Sequence, residues 1–141
     1  MKTLKLMALD AEDLKVVSAC IQDAVLKVGD LRWQARDKRF VVAMNRLAWE
    51  EQPETGTCQR RRACLHFDRV LSVKSSGVPK DRPGEVLCLL AVTFSETDAP
   101  AGMVDLVFAG GGAIRLTVEC LEAQLADLGA AWAARLPAHE V

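Results

Sequence analysis

Two glycine-bearing breaks, Gly29-Asp30 and Gly110-Gly111-Gly112, each sit between stretches in which apolar and polar residues alternate. A period of two sends one side of a strand to a core and the other to water, and a one-residue slip in pairing would reverse them. At the first break Val25-Leu26-Lys27-Val28 meets Leu31-Arg32-Trp33-Gln34. A two-residue Gly-Asp loop there predicts a hairpin with Val28 opposite Leu31 and Leu26 opposite Trp33, Lys27 and Arg32 sharing the other face. A turn at Arg36-Asp37 leads into a strand from Arg39 to about Trp49, with Phe40 opposite Trp33 and Val42 opposite Leu31. Its apolar parity shifts after Met44, and a β-bulge near Asn45-Arg46 accounts for the shift. At the second break a three-residue loop predicts Phe108 facing Ile114, Leu106 facing Leu116 and Val104 facing Val118.

The remaining segments follow from the same signals. Lys2 to Leu9 alternates and reads as a first strand, and Asp10 is placed to cap a helix over residues 11–23, in which Leu14, Val17 and Ile21 form one stripe. Residues 50–59 and 76–85 carry Pro and Gly and read as loops. Arg61 to Ser75 is a long fourth strand, and Val86 to Ser95, apolar on both faces, is a central one. A turn follows at residues 99–102. Leu121, Leu125, Leu128 and Trp132 lie at i, i+4, i+7 and i+11, which predicts an amphipathic C-terminal helix with Glu119 and Glu122 in its first turn.

A length of 141 residues fits a single domain over 1–141, and 50% hydrophobic residues suffice for a core. The order is a strand, a helix, seven antiparallel strands and a helix. The expected fold class is therefore α+β: a seven-stranded pleckstrin-homology-like barrel or split sandwich, capped by the C-terminal helix, with the N-terminal strand and helix as an addition. A helix-backed antiparallel sheet of another α+β type is the competing plan.

The N-terminal residues carry Asp10, Glu12 and Asp13 where an export signal needs an apolar run. The longest apolar stretch, Val86 to Val92, is far too short to span a bilayer. The five cysteines, an odd number without a C-x-x-C pair, do not form a disulfide pattern. The expectation is a cytoplasmic protein with no membrane partner and no cofactor.

Three segments carry a likeness: LKLMALDAED at 4–13, LHFDRVLSV at 65–73 and VFAGGGAIRLTVECLEAQLADLG at 107–129. In these the chain resembles a small bacterial protein family, domain of unknown function 2948, over nearly its whole length. The resemblance implies a single-domain intracellular protein and carries no assigned activity, so it transfers no functional residues.

Candidate sites therefore rest on chemistry alone. Cys64, His66 and Asp68 alternate on one face of the fourth strand and are metal-ligand types. A thiol beside an imidazole is also the material of a nucleophile pair. Against this, residues i and i+2 on a strand lie some 6–7 Å apart, and the other histidine, His139, is in the tail. A polar outer face is the plainer reading. Cys120 lies at the start of the expected last helix, where the dipole would activate a thiol but Glu119 and Glu122 oppose it. The triple glycine is followed by a strand rather than a helix, so it reads as a hairpin turn and not a phosphate cradle.

Charge is unevenly spread. Residues 31–95 hold 12 basic and 7 acidic side chains and residues 96–141 hold 2 and 7, within a net charge of −1. Arg60, Arg61 and Arg62 form the densest basic point and could contact phosphates. An aromatic content of 5% leaves few stacking platforms for nucleic acid. The connection at Gly29-Asp30 is too short and acidic to read a lipid headgroup.

No catalytic constellation stands out. The expected function is a non-catalytic binding or adaptor module for a protein partner or for a second copy of itself, with little room for a deep pocket and with Trp49 and Trp132 as surface anchors. The alternatives are a small thiol- or metal-dependent enzyme centred on Cys64, His66 and Asp68, and a weak nucleic-acid binder through Arg60, Arg61 and Arg62.

Overall fold

A computed structural model describes residues 4–47, 57–128 and 132–135, with the side chains of 57–59 and 132–135 excepted. Its elements are β1 (Lys5–Ala8), α1 (Ala11–Ile21), β2 (Val25–Lys27), β3 (Leu31–Gln34), β4 (Arg39–Leu47), β5 (Thr57–Phe67), β6 (Val70–Ser76), β7 (Val86–Asp98), β8 (Ala101–Phe108), β9 (Ala113–Val118), β10 (Ala123–Asp127) and β11 (Trp132–Arg135). All strand pairings among the described residues are antiparallel.

The fold is a mostly antiparallel sheet with one α-helix among the described residues, not a seven-stranded pleckstrin-homology-like barrel with a C-terminal helical cap. The segment expected to be that cap is β10. It pairs with β1 on one edge and β5 on the other, Leu125 lying beside both Leu6 and Leu65. Leu121 and Leu125 are four apart, and four is a multiple of two, so their spacing satisfies a strand as well as a helix. Ala123, also buried, fills the inward position between them. Hydrogen bonding on both edges overrides the helix propensity of Glu, Ala, Gln and Leu.

The helix that does cover the core is α1. Asp10 caps it, its carboxylate accepting the Asp13 N–H at 2.8 Å. Leu14, Val17 and Ile21 are its buried stripe, packed chiefly against β7 and β1. The Ser18 hydroxyl accepts the Val92 N–H at 2.9 Å, close to an irregularity in the β7–β8 pairing between Leu89 and Ala91.

The expected hairpin at Gly29-Asp30 is absent. Residues 28–30 form a 3₁₀ turn in which the Asp30 carboxylate accepts the Lys27 N–H. The N–H groups of Val28 and Gly29 go instead to the carbonyls of Glu85 and Pro83, both at 2.9 Å. β2 therefore pairs with β4 and β7, and β3 pairs with β4. Within β3–β4 the expected partners hold, Trp33 with Phe40 and Leu31 with Val42. The glycine hairpin joins β8 to β9 as expected and keeps the expected inward face, but its register differs by two residues, Leu106 lying opposite Ile114 and Val104 opposite Leu116.

No bulge interrupts β4. Its register with β5 runs unshifted from Phe40 to Leu47, and the inward series is Phe40, Val42, Met44 and Arg46. What broke the apolar parity is an arginine turned inward. The expected single strand over residues 61–75 is instead two, because Arg69 turns the chain with φ +63°. β9 and β10 bend at the matching place. Across this corner the Asp68 N–H bonds the Glu122 carbonyl and the Glu119 N–H bonds the Arg69 carbonyl, each at 2.9 Å. The β5–β6 and β10–β9 segments thus form one bent ribbon. Following the pairings from β2 through β4, β5–β6, β10–β9, β8 and β7 returns to β2. Inside this circuit lie Phe67, Leu65, Leu89, Leu106, Phe108 and Leu116, all buried.

Candidate functional site

Where β6 bends away from the corner, it leaves β3 facing it across a cleft of about 390 Å³. Alternation decides which side chains enter. Leu31 and Trp33 come from β3, Val73 and Ser75 from β6, and Phe40 from β4. Val28 and Ile114 close the interior end, and the loop over residues 77–85 contributes Val78, Lys80 and Pro83. Trp33 keeps 39% of its surface exposed, which is unusual for so large an apolar side chain and places it in the wall.

The loop is held at both ends by close backbone approaches. A Cβ on Gly29 would lie 3.2 Å from the Pro83 carbonyl oxygen, and one on Gly112 would lie 2.9 Å from the Gly77 carbonyl oxygen. A side chain at Gly112 would force the backbone apart, and one at Gly29 would press on Pro83. Among the described residues β3 pairs only with β4, and β6 only with β9, so each presents an unpaired edge.

A second cluster lies at the far end of β4 and β5. Arg46 and Arg61 are cross-strand partners and both face inward, 0% and 1% exposed. The fully buried Asp127 carboxylate accepts from Arg46 Nε at 2.8 Å and from Arg46 Nη2 at 2.9 Å, with Arg61 Nε 3.9 Å away. It also accepts the Leu4 N–H at 2.8 Å, while the Asp127 N–H returns to the Leu4 carbonyl at 2.9 Å. Burial works to raise the Asp127 pKa, but the hydrogen bonds from Arg46 and Leu4 and the charges of Arg46 and Arg61 outweigh it and hold the carboxyl below its ordinary range. This cluster ties β1, β4, β5 and β10 together and is structural in character.

Cys64 and His66 alternate outward on β5, and Asp68 sits at the corner after it. Arg39 Nε donates to Asp68 at 2.7 Å, and His66 Nε2 stands 3.6 Å from the same carboxylate. The bond to Asp68 raises the Arg39 pKa. Burial pushes the Cys64 thiol up, against the lowering charges of Arg62 and Arg39, which disfavours the thiolate a nucleophile needs. Among the described residues no group of three or more His, Cys, Asp and Glu is arranged to hold a metal ion.

The three arginines do not form one patch. Arg61 faces the interior, Arg60 Nη1 donates to the Asn45 carbonyl at 3.0 Å, and Arg62 reaches the Asn45 side chain at 3.2 Å and Asp30 at 3.3 Å. Strand alternation makes this unavoidable, since consecutive residues point to opposite faces. Cys120 lies in the corner between β9 and β10 rather than at a helix start. Trp49 and His139 lie outside the described residues, and Trp132 opens β11 opposite Arg60.

Sequence reasoning missed the cleft, because its walls come from residues far apart in the chain. It also missed Arg46 and Asp127. The parity break after Met44 was the trace of Arg46, whereas Asp127 left none.

No curated protein and no solved structure matches the chain. A family match covers residues 4–139, and on that extent the chain belongs to the family described as Protein of unknown function (DUF2948).

Proposed function

We propose that this protein is a non-catalytic binding module and that the cleft between β3 and β6 is its binding site. The observation that carries this reading is the cleft's lining. Its volume falls in the range of small-ligand sites, and its walls are mostly apolar and aromatic with few polar side chains among them. The cluster of Cys64, His66 and Asp68 supports catalysis less well, since burial raises the thiol and Arg39 engages the carboxylate.

The test uses decan-1-ol as a neutral apolar probe, followed by thermal unfolding and by Trp fluorescence. A ligand held by the native state raises its stability by RT ln(1 + [L]/Kd), about 2.7 kcal/mol at a hundredfold excess over Kd. Stabilisation is expected in the native chain and its loss in Val73→Trp, which fills the cleft. A probe that stabilises both proteins equally binds elsewhere and defeats the reading.

A second reading, addition of a strand from a protein partner or a second copy, is favoured by the unpaired edges of β3 and β6. Light scattering across a concentration series tests self-association, and a strict monomer argues against a second copy.

A further inference from the structure

We infer that the ligand of this cleft is a single small amphiphile, an apolar body carrying one anionic group that Lys80 receives. The inference rests on the cleft being the binding site, and it adds the ligand's chemistry.

The polar inventory decides the sign. Lys80 is the one charged side chain in the lining, and the other polar side-chain groups are the Ser75 hydroxyl and the Trp33 indole N–H. An ammonium and an indole can only donate hydrogen bonds, and a hydroxyl does both. A ligand group that matches this set accepts hydrogen bonds and carries negative charge. A carboxylate does so, and a bond between two charged groups is stronger than a neutral one. A cationic headgroup would meet only repulsion from Lys80.

Placement supports the same assignment. Lys80 lies on the loop that the Gly29 N–H bond to the Pro83 carbonyl ties to the 3₁₀ turn and is exposed, whereas Val28, Phe40 and Ile114 of the same lining are buried. Among the described residues no ion pair engages Lys80. The neighbouring basic residue on β6, Lys74, lies opposite Arg115 of β9 and alternates away from Val73 and Ser75. The volume of about 390 Å³ suits one small molecule free in solution.

The experiment compares decanoate, decan-1-ol and decyltrimethylammonium below their micelle-forming concentrations, by isothermal titration calorimetry on the full chain. Decanoate is expected to bind at least tenfold tighter than decan-1-ol, and the ammonium compound weakest. Lys80→Ala should bring decanoate to the level of decan-1-ol, Lys80→Arg should keep the preference, and Lys74→Ala should leave it unchanged. Equal affinities for decanoate and decan-1-ol, or a preference that survives Lys80→Ala, overturn the anionic assignment and leave the cleft as a site. Failure of all three probes overturns both. A dimer in the absence of probe that Trp33→Ala dissociates makes the occupant a second copy and also overturns the proposal.

Discussion

At the scale of single residues, Asp127 has the largest leverage. Its carboxylate is fully buried against one arginine in a two-bond fork, with a second arginine close by. A buried pair of this kind adds little over a well-packed apolar substitute, yet removing one partner leaves the other charge stranded. Asp127→Asn should therefore lower stability by about 3–5 kcal/mol in urea unfolding, with an unchanged slope. The pH dependence has a definite sign. Because the folded-state pKa lies below the unfolded value of about 3.9, the stabilisation is fully present above that value and is lost as pH falls through the folded one. Asp127→Asn should accordingly show a flatter decline in stability below about pH 4 than the native chain, measured by denaturant titration at a series of pH values. An equal decline in both would show that other carboxylates govern acid unfolding.

At the scale of elements, β10 is the informative case. Leu121, Leu125 and Leu128 keep helical spacing through residues 123–127, and an alanine at the inward position hides the strand. Leu128, which should have continued the buried stripe, is exposed. The two periods separate experimentally at neighbouring positions. Ala123→Glu should unfold or severely destabilise the protein, since it forces an unpaired carboxylate among Phe67 and Ala8 on the adjoining strands, whereas Gln124→Glu should cost within about 1 kcal/mol because its side chain faces outward. Equal tolerance of both would contradict the strand. Other elements were legible because their signals are local. The Asp10 cap, the stripe of α1, the loop over 77–85 and the turn through the triple glycine each depend on a few neighbouring residues. The pairing of β2 was not legible, since its partners Val86, Leu87 and Cys88 lie more than fifty residues further along the chain, and no local rule reports such a choice. The cleft was illegible for the same reason, its walls being assembled by the bend after Phe67.

At the scale of the whole molecule, hairpins between neighbouring strands such as β4–β5, β7–β8 and β8–β9 are joined into a circuit by pairings between strands distant in sequence. Among the described residues β1 pairs with β10, and β5 lies between β4 and β10. Folding that has to bring distant strands together is slow, in the range of about milliseconds to seconds for domains rich in antiparallel sheet. Stopped-flow refolding should show a main phase in that range, and a microsecond phase carrying the full amplitude would contradict the topology.

The bent ribbon across residues 68–69 and 119–122 has a consequence for how the protein is made. A nascent chain released from the ribosome tunnel only as far as residue 118 has completed β4 and β5, but one flank of β5 and the whole of β1 await a segment not yet emerged. During that interval the backbone of both strands is open to any passing extended polypeptide. Stalled translation products ending at residue 118 should thus remain protease-sensitive, and those carrying β10 clear of the tunnel should become resistant.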